Sequence, residues 1–123
     1  MQVVSLSLGP YRTNCHLLHD DRRVWIIDPG WDGERLADLI DKNGWTPQEV
    51  LLTHSHWDHL LGLPGLRTRY GDLPVYVHET EASFLGKDGA LRLRRLALSV
   101  DPDQRMIPAD LWERLPDATG VFT

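Results

Sequence analysis

At 123 residues the chain is one domain at most, able to bury a core but short for a two-layered α/β enzyme. A hydrophobic share of 41% beside 25% charged residues is that of an ordinary globular protein and does not indicate disorder. The formal charge of −5 weighs against a general nucleic-acid binder. Apolar runs such as residues 24–27 are far too short to span a bilayer, and Met1-Gln2-Val3-Val4 reads as the start of a strand-like alternation instead of a basic signal-peptide region. A cytoplasmic protein with neither a nucleic-acid nor a membrane partner is the expectation.

In chain order, Val4, Leu6 and Leu8 alternate with Ser5 and Ser7, the period of a half-buried strand closed by Gly9-Pro10. Residues 13–19 predict a second strand, Asp20-Asp21 a tight turn, and residues 23–27 a third strand rich in β-branched and aromatic side chains. Together they read as an antiparallel meander. The lone Cys15 can make no internal disulfide and suits a small buried position better than a catalytic one. His16 and His19, read as sharing a strand face, are set aside as a metal pair because no acidic or sulfur partner is adjacent.

Asp28-Pro29-Gly30 ends the meander, and residues 33–43 carry Leu36, Leu39 and Ile40 at helical spacing before Gly44. From here strands and helices alternate. Residues 49–53 predict a strand, 60–70 a helix irregular around Gly62-Leu63-Pro64-Gly65, 74–77 a short strand ending at a partly exposed His78, and 79–85 a helical turn. Residues 90–99 and 108–115 read as helices separated by Asp101-Pro102-Asp103, and residues 116–120 as a loop. Arg92, Arg94 and Arg95, interleaved with leucines, fit the solvated face of an amphipathic helix. The chain has no internal repeat, phosphate loop, C-x-x-C or G-x-S-x-G.

Chemistry concentrates in Thr53-His54-Ser55-His56-Trp57-Asp58-His59, directly after the apolar run Val50-Leu51-Leu52. For any one of the six histidines an ordinary surface role is the default, so the clustering is what points to a metal. On an extended backbone His54 and His56 project to one side and can share an ion. Asp58 and His59 are adjacent, and a turn after Trp57 is required to bring both into the same pocket. Mixed imidazole and carboxylate ligation suits Zn²⁺, Fe²⁺ or Mn²⁺, with zinc the leading choice.

His54-Ser-His56-Trp-Asp58-His59 resembles the signature of the metallo-β-lactamase fold hydrolases, and the glyoxalase II type more than the β-lactamases that lack the final histidine. Asn14-Cys15-His16-Leu17-Leu18 is similar to a strand near that family's N-terminus, His16 falling on a core tyrosine position. Ile26-Ile27-Asp28-Pro29-Gly30 is similar to its strand–Asp–Pro/Thr–Gly step, and Pro74-Val75-Tyr76-Val77-His78 to the strand after its metal helix. The likeness spans residues 1–84. It implies an α/β (α+β) fold, the αββα sandwich of which residues 1–123, as a single partial domain, supply about the N-terminal αβ half.

The resemblance also implies a metal-dependent hydrolase with two Zn²⁺ ions in the complete domain. His54 and His56 would hold the first and Asp58 and His59 the second. Asp58 would also bond the attacking water, and Asp28 would orient the metal loop from behind. The substrate is expected to be a small molecule, a thioester or a related ester or phosphodiester. A mononuclear-iron enzyme like the persulfide-oxidising relatives and a non-catalytic metal clip are the alternatives. Family members commonly carry Gly-Gly after the last motif histidine, whereas this chain has Leu61-Gly62. They also add a further His, a bridging Asp and a final His. No histidine follows His78 here, so the chain alone is expected to be inactive. Its inner sheet face is expected to be apolar, inviting self-association.

Overall fold

Alternating apolar residues drive the first part of the chain into a sheet, and the computed structural model describes it at residues 1–53, 59–79, 85, 89, 94–95 and 114–122. Strands β1 (Gln2–Leu8), β2 (Thr13–His19) and β3 (Arg23–Ile27) form the expected antiparallel meander. Helix α1 (Gly33–Lys42) carries the chain back to β4 (Thr46–Leu52), which runs parallel to β3. Helix α2 (Leu63–Tyr70), β5 (Val75–His78) and β6 (Gly120–Phe122) come next, giving the strand order β1-β2-β3-β4-β5-β6 with the last three contacts all parallel. Parallel neighbours need a crossover, and the helical segments after β3 and β4 supply it.

One face of this sheet carries the core. Cys15, Leu17, Val24, Ile26, Val50, Leu52, Val75 and Val77 are buried there at every second position, beneath Leu36, Ala37 and Ile40 of α1 and Leu63 and Leu66 of α2. The opposite face, with Leu18, Trp25, Ile27, Leu51 and Tyr76, is only half-buried. Among the described residues no helix is long and apolar enough to cross a membrane.

Apart from one-residue shifts at the ends of α1, β4 and β5, three features depart from expectation. β4 begins at Thr46 instead of residue 49, because Pro47 is tolerated beside a register shift: Val24 pairs with Pro47 and Trp25 with Glu49. α2 begins at Leu63 instead of residue 60, since Leu60, Leu61 and Gly62 form a turn in which Gly62 N–H donates to the Pro29 carbonyl at 2.7 Å. Gly120 opens a strand instead of ending a loop. Its missing Cβ would lie 2.8 Å from the Tyr76 ring, so glycine lets β6 lie flat against β5. The helices expected at 79–85, 90–99 and 108–115 fall mostly outside the described residues, although Arg94 and Arg95 are helical and exposed.

The two helices meet backbone to backbone. A Cβ on Gly33 would stand 1.9 Å from the Gly62 carbonyl oxygen, and one on Gly65 2.7 Å from the Glu34 nitrogen. At the outer end of this contact Arg69 pairs with Asp38 at 2.8 Å and Asp41 at 2.7 Å. The Tyr70 hydroxyl lies 2.7 Å from Asp41 Oδ1. That bond holds the Asp41 carboxyl below its ordinary range, with Arg69 adding to the effect. Burial and the same carboxylate push the Tyr70 phenol upward.

Candidate metal centre

The C-terminal ends of β3 and β4 lie side by side, and the loops leaving them are built around Asp28. Its backbone N–H donates to the Leu51 carbonyl at 3.1 Å, which extends the β3–β4 ladder one step past the strand. Its φ is +54°, a left-handed conformation that Asp tolerates better than most residues, and it turns the carboxylate away from the strand's alternation. The residue is 4% exposed. Thr53 N–H donates to Oδ1 at 2.9 Å and the Thr53 hydroxyl to Oδ2 at 2.6 Å, so the carboxylate bonds the residue that enters the motif, not the turn it sits in.

His59, at the other end of the motif, brings Nδ1 to 3.1 Å from Asp28 Oδ2. One carboxylate therefore grips both flanks of the segment 54–58. With Nδ1 turned to a carboxylate, the ring presents Nε2 as its remaining donor atom, the arrangement commonly found where an imidazole ligates a metal. The expected ligands His54, His56 and Asp58 lie outside the described residues. After His59 the chain is fixed by packing: Leu60 and Leu61 are 0% and 1% exposed, and a Cβ on Gly62 would meet the Pro29 carbonyl oxygen at 2.6 Å. The single glycine thus stands where the backbone makes a close approach, while Leu61 fills core.

The other candidates separate cleanly. Cys15 is fully buried, and burial, with the Asp28 charge nearby, pushes its thiol up to about 12, so it is no nucleophile. His16 and His19 do not share a face, because residues three apart on a strand point opposite ways. His16 Nδ1 lies 2.9 Å from Ser5 Oγ on the half-buried face, so it is not the core residue that its strand position suggested. His19 stacks on Trp45 with ring centroids 4.1 Å apart. His78 is half-buried at the end of β5. The partner that sequence reasoning missed is Thr53, whose only signal was its place at the strand's end.

The family model of the metallo-beta-lactamase superfamily matches residues 8–120. The chain belongs to this superfamily. It is 33% identical over 108 residues to a probable metallo-hydrolase, YqgX, of Bacillus subtilis (strain 168), a match covering 85% of this chain and 51% of that protein. It is 43% identical over 73 residues to a hydroxyacylglutathione hydrolase of Enterobacter sp. (strain 638), covering 58% of this chain and 29% of that one.

Among solved structures, the BLEG-1 B3 metallo-beta-lactamase superposes with a TM-score of 0.76 at 28% identity, covering 99% of this chain and 53% of its own. TTHA1623, in a di-iron-bound form, superposes with a TM-score of 0.63 at 32% identity, covering 77% and 47%. The chain therefore has the metallo-beta-lactamase fold and spans about half the length of these relatives. Members of the superfamily bind metal ions, these relatives include hydrolases, and the donor chemistry around Asp28 and His59 fits such a metal.

Proposed function

We propose that the chain is the metal-binding half of a glyoxalase II-like hydrolase acting on a thioester or related small-molecule ester. The observation that carries this reading is the buried Asp28 carboxylate, which accepts two hydrogen bonds from Thr53 and stands 3.1 Å from His59 Nδ1, so that it faces both residues flanking the His-x-His-x-Asp stretch. His54 and His56 would hold one ion, and Asp58 and His59 the other. When bound, such a metal pair supplies Lewis acidity and a water acidified enough to be a nucleophile at neutral pH.

The chain's own residues do the rest. Asp28, 3.1 Å from His59 Nδ1, orients the ring so that Nε2 is the atom offered to a metal. Asp58 offers a carboxylate oxygen to the attacking water. Leu60 and Leu61 close the floor against solvent. Likeness to a hydroxyacylglutathione hydrolase supports a thioester, and likeness to a di-iron protein keeps iron beside zinc as the occupant. Four motif side chains shared between two ions leave two each, below the three protein ligands usual for catalytic zinc. Residues 1–123 alone therefore bind metal without turning substrate over.

Metal analysis of the untagged chain, beside the double variant His54→Ala/His56→Ala, tests the assignment. Stoichiometric zinc or iron in the parent and its loss in the variant are expected. Equal metal content in the two would overturn it.

A further inference from the structure

We infer that β1 is a homodimerisation edge, pairing antiparallel with β1 of a second copy so that one continuous sheet runs through both. β1 ends the strand order, and among the described residues no strand lies on its outer side. Strand edges left open in this way template further pairing, and proteins that avoid it place charges, prolines or bulges there. Gln2–Leu8 has none of these: it contains no charged residue and no proline, and its register with β2 is unbroken from Gln2↔His19 to Leu8↔Thr13. The large hydrophobics most exposed among the described residues, Met1 at 73% and Val3 at 58%, lie at this edge.

The occupant is set by two further features. The first is an open cavity of about 740 Å³ between β1 and α1, lined by Leu6, Leu8, Trp31, Arg35, Leu36 and Leu39. Val4, Leu6 and Leu8 face the core side, as their buried partners Leu17, Cys15 and Thr13 show, yet they stay half-buried because α1 does not reach over them. A strand added beside β1 needs apolar side chains at the alternate positions on that side.

The second feature is that β1 satisfies this itself. Pairing about a two-fold axis through Ser5, the middle of the strand, sets Val4 opposite Leu6 of the second copy on the core side, with Gln2 opposite Leu8 at the strand ends. On the other side it sets Val3 opposite Ser7, and Ser5 opposite Ser5. Directly opposite residues in an antiparallel pair share a face, so Val4 and Leu6 meet at the centre of the core side beside the cavity and each copy extends the other's floor. The contact is isologous and closes at two copies.

Sedimentation of the untagged 123-residue chain over a wide concentration range should show a species of twice the 14.1 kDa chain mass. Val3→Lys/Ser7→Lys sets two pairs of like charges across the axis and should weaken association by about tenfold or more. Val3→Lys/Ser7→Glu uses the same exposed positions but opposes unlike charges, and should keep the dimer. Circular dichroism checks that both variants fold. Independently, Ser5→Cys lies on the axis and should cross-link two copies on mild oxidation, Cys15 being buried. A monomer at every concentration would overturn the inference, as would a dimer lost equally in both charge variants. A dimer indifferent to them but lost in Trp25→Glu would overturn it too, and would place the interface on the half-buried sheet face.

Discussion

Strand β3 has an anchoring aspartate at each end, and the two are opposites. Asp20, in the hairpin before it, accepts from the backbone N–H of Arg22 at 2.9 Å and of Arg23 at 2.7 Å, and from Arg23 Nε at 2.9 Å. All its partners are within three positions, and solvent reaches it. Asp28, just after the strand, is buried and holds Thr53 and His59, which are 25 and 31 positions away. The first closes a turn that forms locally. The second can form only when β4 is in place, and it ties the fold to the candidate metal loop. Similar carboxylate bonding thus serves local geometry at one end and tertiary assembly at the other.

The largest effect should come from Asp28→Ala, which removes the buried carboxylate that accepts from the Thr53 N–H and hydroxyl and faces His59 Nδ1. A loss of about 3–5 kcal/mol is expected, measured by urea denaturation. Asp28→Asn keeps a residue suited to positive φ and one acceptor oxygen, so it should cost less while metal affinity still falls by about 10–100-fold. An Asp28→Ala protein within about 1 kcal/mol of the parent would break the comparison, since a buried acceptor's loss exceeds that.

A second contrast lies between glycines near the two ends. Gly33→Ala drives a Cβ to 1.9 Å from the Gly62 carbonyl oxygen, and both partners are backbone, so neither can swing aside. Separating α1 from α2 also shifts the Pro29–Gly62 bond that seats the metal loop, and a loss of about 3 kcal/mol is expected. Gly44, at φ +71° with nothing within 4 Å of its would-be Cβ, meets only the backbone cost, so Gly44→Ala should lose about 1 kcal/mol. Equal midpoint shifts in the two variants would show that helix contact at the site end is not what those glycines serve.

The legibility of the sequence divides in the same way between local and distant. β2 and β3 have the bounds that alternation and the Asp20-Asp21 turn predicted, because both signals are contained in the strands. The start of β4 was misplaced because Pro47 reads locally as a breaker, and only its neighbour β3 shows that a bulge accommodates it. β6 was missed because Gly120–Phe122 is too short to show a period and becomes a strand only through β5. At the site, spacing singles out the histidine cluster, of which only His59 falls among the described residues, facing Asp28. The part played by Thr53 was not legible, because nothing in a threonine at a strand's end names a partner 25 residues earlier.

The smallest predicted effect concerns Asp20 and tests whether the local anchor works through charge. Its bonds from the Arg22 and Arg23 backbone N–H groups, and then from the Arg23 guanidinium, lower its carboxyl from 3.8 to about 2. A depressed folded pKa means that the ionised form is favoured by folding. Its contribution is complete above the unfolded value and disappears as pH falls through the folded one. The parent chain should therefore exceed Asp20→Asn slightly in urea midpoint at neutral pH, and the gap should close between about pH 4 and the folded value near 2. Because the group is exposed, salt should narrow the same gap at neutral pH. A difference that persists unchanged in acid and in salt would mean that Asp20 acts through the shape of the turn alone, since an asparagine amide oxygen can also accept from both backbone N–H groups. For Asp28 the corresponding replacement should stay costly in salt, because burial shields its contacts from screening.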